Sequence, residues 1–182
     1  MIHVVFDHSA FIPCSQKPKE EKEAIIELGE LIINLNIIWY ISKQYLKVLH
    51  SVLNRKYDCD KFPKFQRILK SKIDLLLKET RSRNKLDKTS KFIENIKIHI
   101  VGRSAREYLE KLKNSSLIES LAKLKQEDPE VLALAILASR KASDNVYLVT
   151  TDRVILDVAS DLEITNLKPL TPKKFKSFIN NI

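Results

Sequence analysis

With two glycines, two cysteines, one tryptophan and one methionine among 182 residues, the chain cannot host several familiar chemistries. Gly29 and Gly102 stand far apart, so neither a G-x-G-x-x-G fingerprint nor a Walker loop can be built, and nucleotide binding through a glycine-rich cradle is excluded. Cys14 and Cys59 are isolated, with no CxxC spacing and no histidine at ligand spacing, which argues for free intracellular thiols rather than zinc. No run approaches the roughly 18 apolar residues of a membrane span, and Asp7 interrupts the short apolar start, so a cytoplasmic protein, mature as written, is expected. No repeat of fixed period and no low-complexity tract is visible.

What remains is 44% hydrophobic and 30% charged, the composition of a globular protein with one core. Apolar runs rich in β-branched residues predict strands at Ile2 to Phe6, Ile37 to Ile41, Ile96 to Val101 and 146 to 149, with a short edge strand at Glu163 to Leu167. Helical periodicity is expected over Lys19 to Asn34, from a Ser42 cap to about Lys56, and over about 64 to 82, 104 to 113 and 116 to 125. Further helices follow from Asp128, over Asp152 to Ala159 and over 171 to 180, while 83 to 91 reads as a polar connection. Strands alternating with helices predict an α/β fold: three α/β/α layers around a twisted parallel sheet of about four to five strands. One domain over 1–182 is expected, with a basic helical insertion at about 57–95.

Three acids are placed by this reading at one edge of the sheet. Asp7 ends the first strand, Asp152 follows the strand at 146, and Asp128 opens the helix that wraps back over the sheet. Open α/β sheets place their ligands at the strands' carboxyl edge, and carboxylates crowded there repel unless a cation sits among them. Hard oxygen ligands suit Mg2+ or Mn2+. Asp128 and Asp152 are equally credible as helix N-caps, whereas Asp7, with no helix expected immediately after it, has no evident structural task. Glu130 lies in a first helical turn, where the helix dipole favours an acid. Continued strand alternation would turn His8 away from Asp7.

The segments FDHSAF, DPEVLALAILA and LVTTD, with the closing TPKKF at 171 to 175, resemble the PIN-domain ribonucleases. The resemblance implies a metal-dependent endoribonuclease, with Asp7, Asp128 and Asp152 catalytic and Asp7, Asp128, Glu130 and Asp152 holding Mg2+ or Mn2+. Ser9 and Thr150 would be orienting hydroxyls. The family also carries a glutamate on the helix after the second strand; the corresponding SKQYLKVLHSV has no acid, and Lys47 or Val48 stands there. Either Glu130 completes the set, or metal is held weakly, or activity has been lost. The partners the resemblance leaves open beside RNA are a second copy of the chain and a small antitoxin-like protein.

The charge is lopsided. Thirteen Lys or Arg against five acids between Arg55 and Lys91 supply eight of the formal +9. Such a field attracts a phosphate backbone irrespective of sequence, and Lys64, Arg67, Lys70 and Lys72 are the candidate contacts for single-stranded RNA. A solvated helical face is the plainer explanation of the same charges. Tyr57, Phe62 and Phe65 suit base stacking or, more simply, core packing. Two alternatives to cleavage stand beside it: an RNA-binding or assembly protein on an inactivated PIN scaffold, and a haloacid-dehalogenase-like phosphatase. VVFDHSAF resembles the nucleophile strand of those phosphatases, but Ser9 occupies the position of their second aspartate.

Overall fold

In a computed structural model of the chain, residues 1–13, 17–55, 64–81, 87–93, 95–111, 114–126 and 128–182 are described. Cys14, Cys59, Tyr57 and Phe62 lie outside them. The strands are β1 (Ile2–Phe6), β2 (Ile37–Ile41), β3 (Asp87–Ile93), β4 (Ile96–Val101), β5 (Val146–Val149) and β6 (Leu167–Leu170). They form one 6-stranded sheet in the order β3-β4-β2-β1-β5-β6. Every pairing is parallel except that of β3 with β4. Val4 sits between Trp39 on β2 and Tyr147 on β5, which fixes the central register.

Two expectations are corrected here. The stretch read as a polar connection contains β3, so the expected helical insertion contributes a helix and then an antiparallel strand, and the sheet is mixed. An edge strand open to solvent on one side needs few apolar residues, and DKTSKFI has two. The last strand is Leu167–Leu170, not 163 to 167, because Glu163 adopts φ 50 and turns the chain. Pro169 within β6 is compatible with its place at the sheet's edge.

The helices are α1 (Lys19–Ile32), α2 (Lys43–Asn54), α3 (Lys64–Arg81), α4 (Ala105–Lys111), α5 (Ser115–Ala122), α6 (Asp128–Lys141), α7 (Arg153–Asp161) and α8 (Pro172–Ile179). Side-chain caps start several of them: Ser42 accepts from Tyr45 N, Asn114 from Leu117 N and Thr171 from Lys174 N. Pro172 at the first turn of α8 suits a position whose N–H would be unpaired anyway. α6 is buried from Pro129 through Ser139, as a core helix must be, with α4, α5 and α7 packed around it. The remaining helices form a second group, in which α1 packs on α3 and α8, and α2 packs on α3. The arrangement is α/β and compatible with three layers.

Phe6, Phe11, Trp39, Phe65 and Phe175 meet in one aromatic cluster, with centroids 6.0 Å apart for Phe6 and Trp39 and 5.7 Å apart for Phe11 and Phe65. Edge-to-face pairs of this kind add about 0.5–1.5 kcal/mol each beyond area burial. Phe65 is therefore a core residue, and it ties α3 to the sheet. Among the described residues no helix is long and apolar enough to cross a membrane.

Candidate functional site

From β1 the chain steps outward to β2 and then β4 on one side, and only afterwards returns to lay β5 and β6 on the other. The direction of winding therefore reverses between β1 and β5. The crevice at the carboxyl ends of such a strand pair is where open α/β sheets hold ligands. Asp7 follows β1, and Thr150, Thr151 and Asp152 follow β5. Asp7 N donates to Val149 O at 3.0 Å, closing the two strand ends together.

Asp7 is 2% exposed and each of its oxygens is engaged. Oδ2 accepts from Ser9 N at 3.3 Å, from the Ser9 hydroxyl, and from Thr150 Oγ1 at 2.9 Å. Oδ1 accepts from Tyr45 Oη at 3.2 Å and lies 3.0 Å from His8 Nδ1. Burial alone would push this carboxyl upward, but the His8 hydrogen bond and charge, with the Ser9 and Thr150 hydrogen bonds, hold it down at about 2. The group is ionised throughout the neutral range. A carboxylate that weakly basic is a poor proton acceptor, so what it offers the crevice is fixed negative charge.

Two sequence expectations fail at this point. Asp7 does have a structural task, as the cap of a 3-10 turn over His8–Ala10. The same turn ends the strand alternation, so His8 faces Asp7 instead of pointing away. Ser9 and Thr150 both bond the carboxylate, and Thr150 Oγ1 also accepts from Asp152 N at 3.0 Å. One hydroxyl thus stands between Asp7 and the backbone of Asp152. Asp152 caps α7, its Oδ1 accepting from Val154 N at 2.7 Å and Ile155 N at 3.3 Å.

Tyr45 and Lys17 were not distinguished by sequence. Tyr45 lies one turn after the Ser42 cap on the buried side of α2, which is the only signal it carries. Its hydroxyl accepts from His8 N at 2.6 Å while donating to Asp7. Lys17 latches the two loops: Nζ donates to Ser9 O at 3.4 Å, Glu21 Oε1 at 3.1 Å and the Thr151 hydroxyl.

Glu130 serves another junction. Oε1 accepts from Ser42 Oγ at 2.5 Å and Ala105 N at 2.6 Å, and Oε2 from Ser104 Oγ at 2.7 Å and Arg106 N at 3.1 Å. The carboxylate is an N-terminal cap for α4 supplied from α6, and it joins both to the start of α2. Beside it opens a cavity of about 330 Å³ whose lining includes Gln44, Val48 and Arg106 together with the acids Glu107 and Glu110. Val48, at a position where the resemblance calls for an acid, is one of its walls.

Asp128 is the first residue of α6, half-buried, with its N–H donating to Lys125 O at 3.1 Å. Among the described residues no group of three or more His, Cys, Asp or Glu side chains is placed to hold a metal ion. Asp7 and Glu130 are enclosed by protein donors at separate junctions, Asp152 caps α7, and no chemical step is assigned to a metal ion.

Of the basic candidates, Lys64 and Arg67 are exposed on α3 and Lys70 is half-buried. Lys72 donates to Phe92 O at 2.6 Å and sits 5.5 Å from the Phe92 ring, bracing α3 against β3. In comparisons with known proteins, the chain matches no family model, no curated protein and no solved structure.

Proposed function

We propose that the protein is an endoribonuclease-type domain that acts on RNA from the crevice between β1 and β5. The observation that carries this reading is the ionised, buried Asp7 at the reversal of strand order, one hydroxyl away from the Asp152 loop. A carboxylate kept charged under that much burial supplies a permanent negative centre at the place where such sheets bind ligands. Ser9, Thr150 and Tyr45 hold its orientation, and activation of a nucleophile has to come from outside these side chains. The test is cleavage of a labelled single-stranded RNA with and without Mn2+, using wild type and Asp7→Asn. Loss beyond the roughly 100-fold typical of outer-shell changes supports the reading. Equal cleavage by both proteins would overturn it.

A second reading, an RNA-binding or assembly protein without cleavage, has its own support. Glu130 is spent on the α4 cap, and Val48, one of the two positions where an acid is expected, lines the cavity beside it. RNA binding by wild type with no cleavage under any divalent ion would select it.

A further inference from the structure

One face of the sheet is uncovered at the β3 side. Directly opposed residues of neighbouring strands share a face, so Ile38 and Lys97, Tyr40 and His99, Thr89 and His99, and Lys91 and Lys97 all stand on it. The reverse face holds Trp39, Ile96, Ile98 and Phe92, all buried against helices. Here, by contrast, Lys91, Lys97 and Thr89 are exposed and Ile38 and His99 are half-buried, while Tyr40 on β2 is buried, so the open part of the face lies on β3 and β4. A solvated face is ordinary for an antiparallel edge pair such as β3 and β4, so what distinguishes this one is the charge it carries.

The opposed lysines sharpen it. Like charges directly across a strand pair are unfavourable. Lysine on an edge strand is a common guard against unwanted strand pairing, which accounts for Lys91 on β3. It does not account for Lys97, which lies on β4 between two partners. The positions flanking the pair on this face are Thr89, His99 and Ile38, none of them acidic, and the register puts Asp87 on the same face only at the far end of β3. Thr89 Oγ1 and His99 Nδ1 are 2.7 Å apart, so the polar row continues beside the charged one.

We propose that this uncovered face of β3 and β4, centred on Lys91 and Lys97, binds the phosphate backbone of a single-stranded nucleic acid. An anion between the two ammonium groups turns their mutual repulsion into a shared attraction. A protein partner ordinarily needs an apolar centre to its interface, and among the residues whose burial is described Ile38 is the one aliphatic side chain partly open here. A phosphate backbone needs the charges alone. The choice of RNA as first probe rests on the function proposed above; the surface itself does not.

The experiment is a fluorescence-anisotropy salt titration with a labelled oligouridylate of about 12 nucleotides, a length within the range one small domain covers. Wild type is compared with Lys91→Gln/Lys97→Gln and with a charge-matched control, Lys19→Gln/Lys123→Gln, whose lysines are exposed at α1 and at the end of α5. Two lost phosphate contacts should flatten the slope of log K against log salt by about 1.4 and weaken binding about 10- to 30-fold near 0.1 M salt. The control pair should keep the wild-type slope. The double variant should melt at or above the wild-type temperature, because it relieves a like-charge pair, and this separates lost contacts from lost folding. Equal slopes for wild type and double variant would overturn the proposal. So would tight, Lys-dependent binding of polyglutamate in place of the oligonucleotide, which would mean an acidic protein partner. Binding of oligothymidylate but not oligouridylate would leave this surface standing and remove the RNA function instead; binding of neither removes the surface.

Discussion

Asp7 and Glu130 are acids of nearly equal exposure, 2% and 5%, at the same edge of one sheet, and they are held in different ways. Glu130 meets two backbone N–H groups at the start of α4, donors that cannot move without the helix, and two serines complete the set. Asp7 meets one backbone N–H and otherwise depends on the hydroxyls of Ser9, Thr150 and Tyr45 and on His8. Hydroxyls can rotate toward a ligand and exchange partners; helix-terminal amides cannot. Burial alone therefore does not separate a structural acid from a functional one. The mobility of the donors does, and by that criterion Asp7 is poised and Glu130 is fixed.

The contrast is tested most severely at Glu130. Glu130→Ala strands four donors and should destabilise by about 3 to 4 kcal/mol, with a melting temperature about 10 °C lower by calorimetry. A loss under about 1 kcal/mol would mean that water satisfies those donors and that the junction is not fixed. At Asp7 the expected signature is pH-dependent. Its folded value of about 2 lies below the ordinary 3.8, so the stabilisation is fully present above pH 3.8 and disappears as pH falls through about 2. The difference corresponds to about 2 kcal/mol. Urea unfolding of wild type and Asp7→Asn at neutral pH and near pH 2 should show that contribution only in wild type; parallel pH profiles would mean that Asp7 is not held ionised by its neighbours.

Smaller effects extend the comparison to the residues around each acid. On the Glu130 side, Gly102 joins β4 to α4 at φ 92, with nothing within 4 Å of where a Cβ would sit. Gly102→Ala should therefore cost only the backbone conformation, about 1 to 2 kcal/mol, and a larger loss in denaturant titration would reveal hidden crowding. On the Asp7 side, Asp152→Ala removes a cap and should cost about 1 kcal/mol, while Asp152→Asn should be close to neutral for stability. If cleavage is found, Asp152→Asn should reduce it while leaving stability unchanged, which places the residue's function outside the cap.

The central architecture was legible because it is carried by apolar β-branched runs. β2 and β4 fall on the expected residues, and so do the Ser42 and Asp152 caps. The edges were not, since β3 and β6 are stabilised by pairing on one side and carry weak internal patterns. At the site, strand position marked Asp7 and the resemblance marked Ser9 and Thr150, and the three are hydrogen-bonded to one another. It could not mark Tyr45, His8 or Lys17, because their importance depends on a 3-10 turn and on contacts between segments far apart in the chain. Glu130 was misleading for a related reason: an acid in a first helical turn suggests its own helix's dipole, yet this one caps a different helix.

Phe65, Leu69 and Ile73 bury one side of α3 in the common core, so the helix bearing Lys64 and Arg67 has no freedom to fold or swing on encountering an anion. Its charges are a printed pattern, not a flexible tail. An anion docking along that surface would do so without coupled folding: little heat-capacity change, little ordering entropy, and a free energy set by the release of counterions.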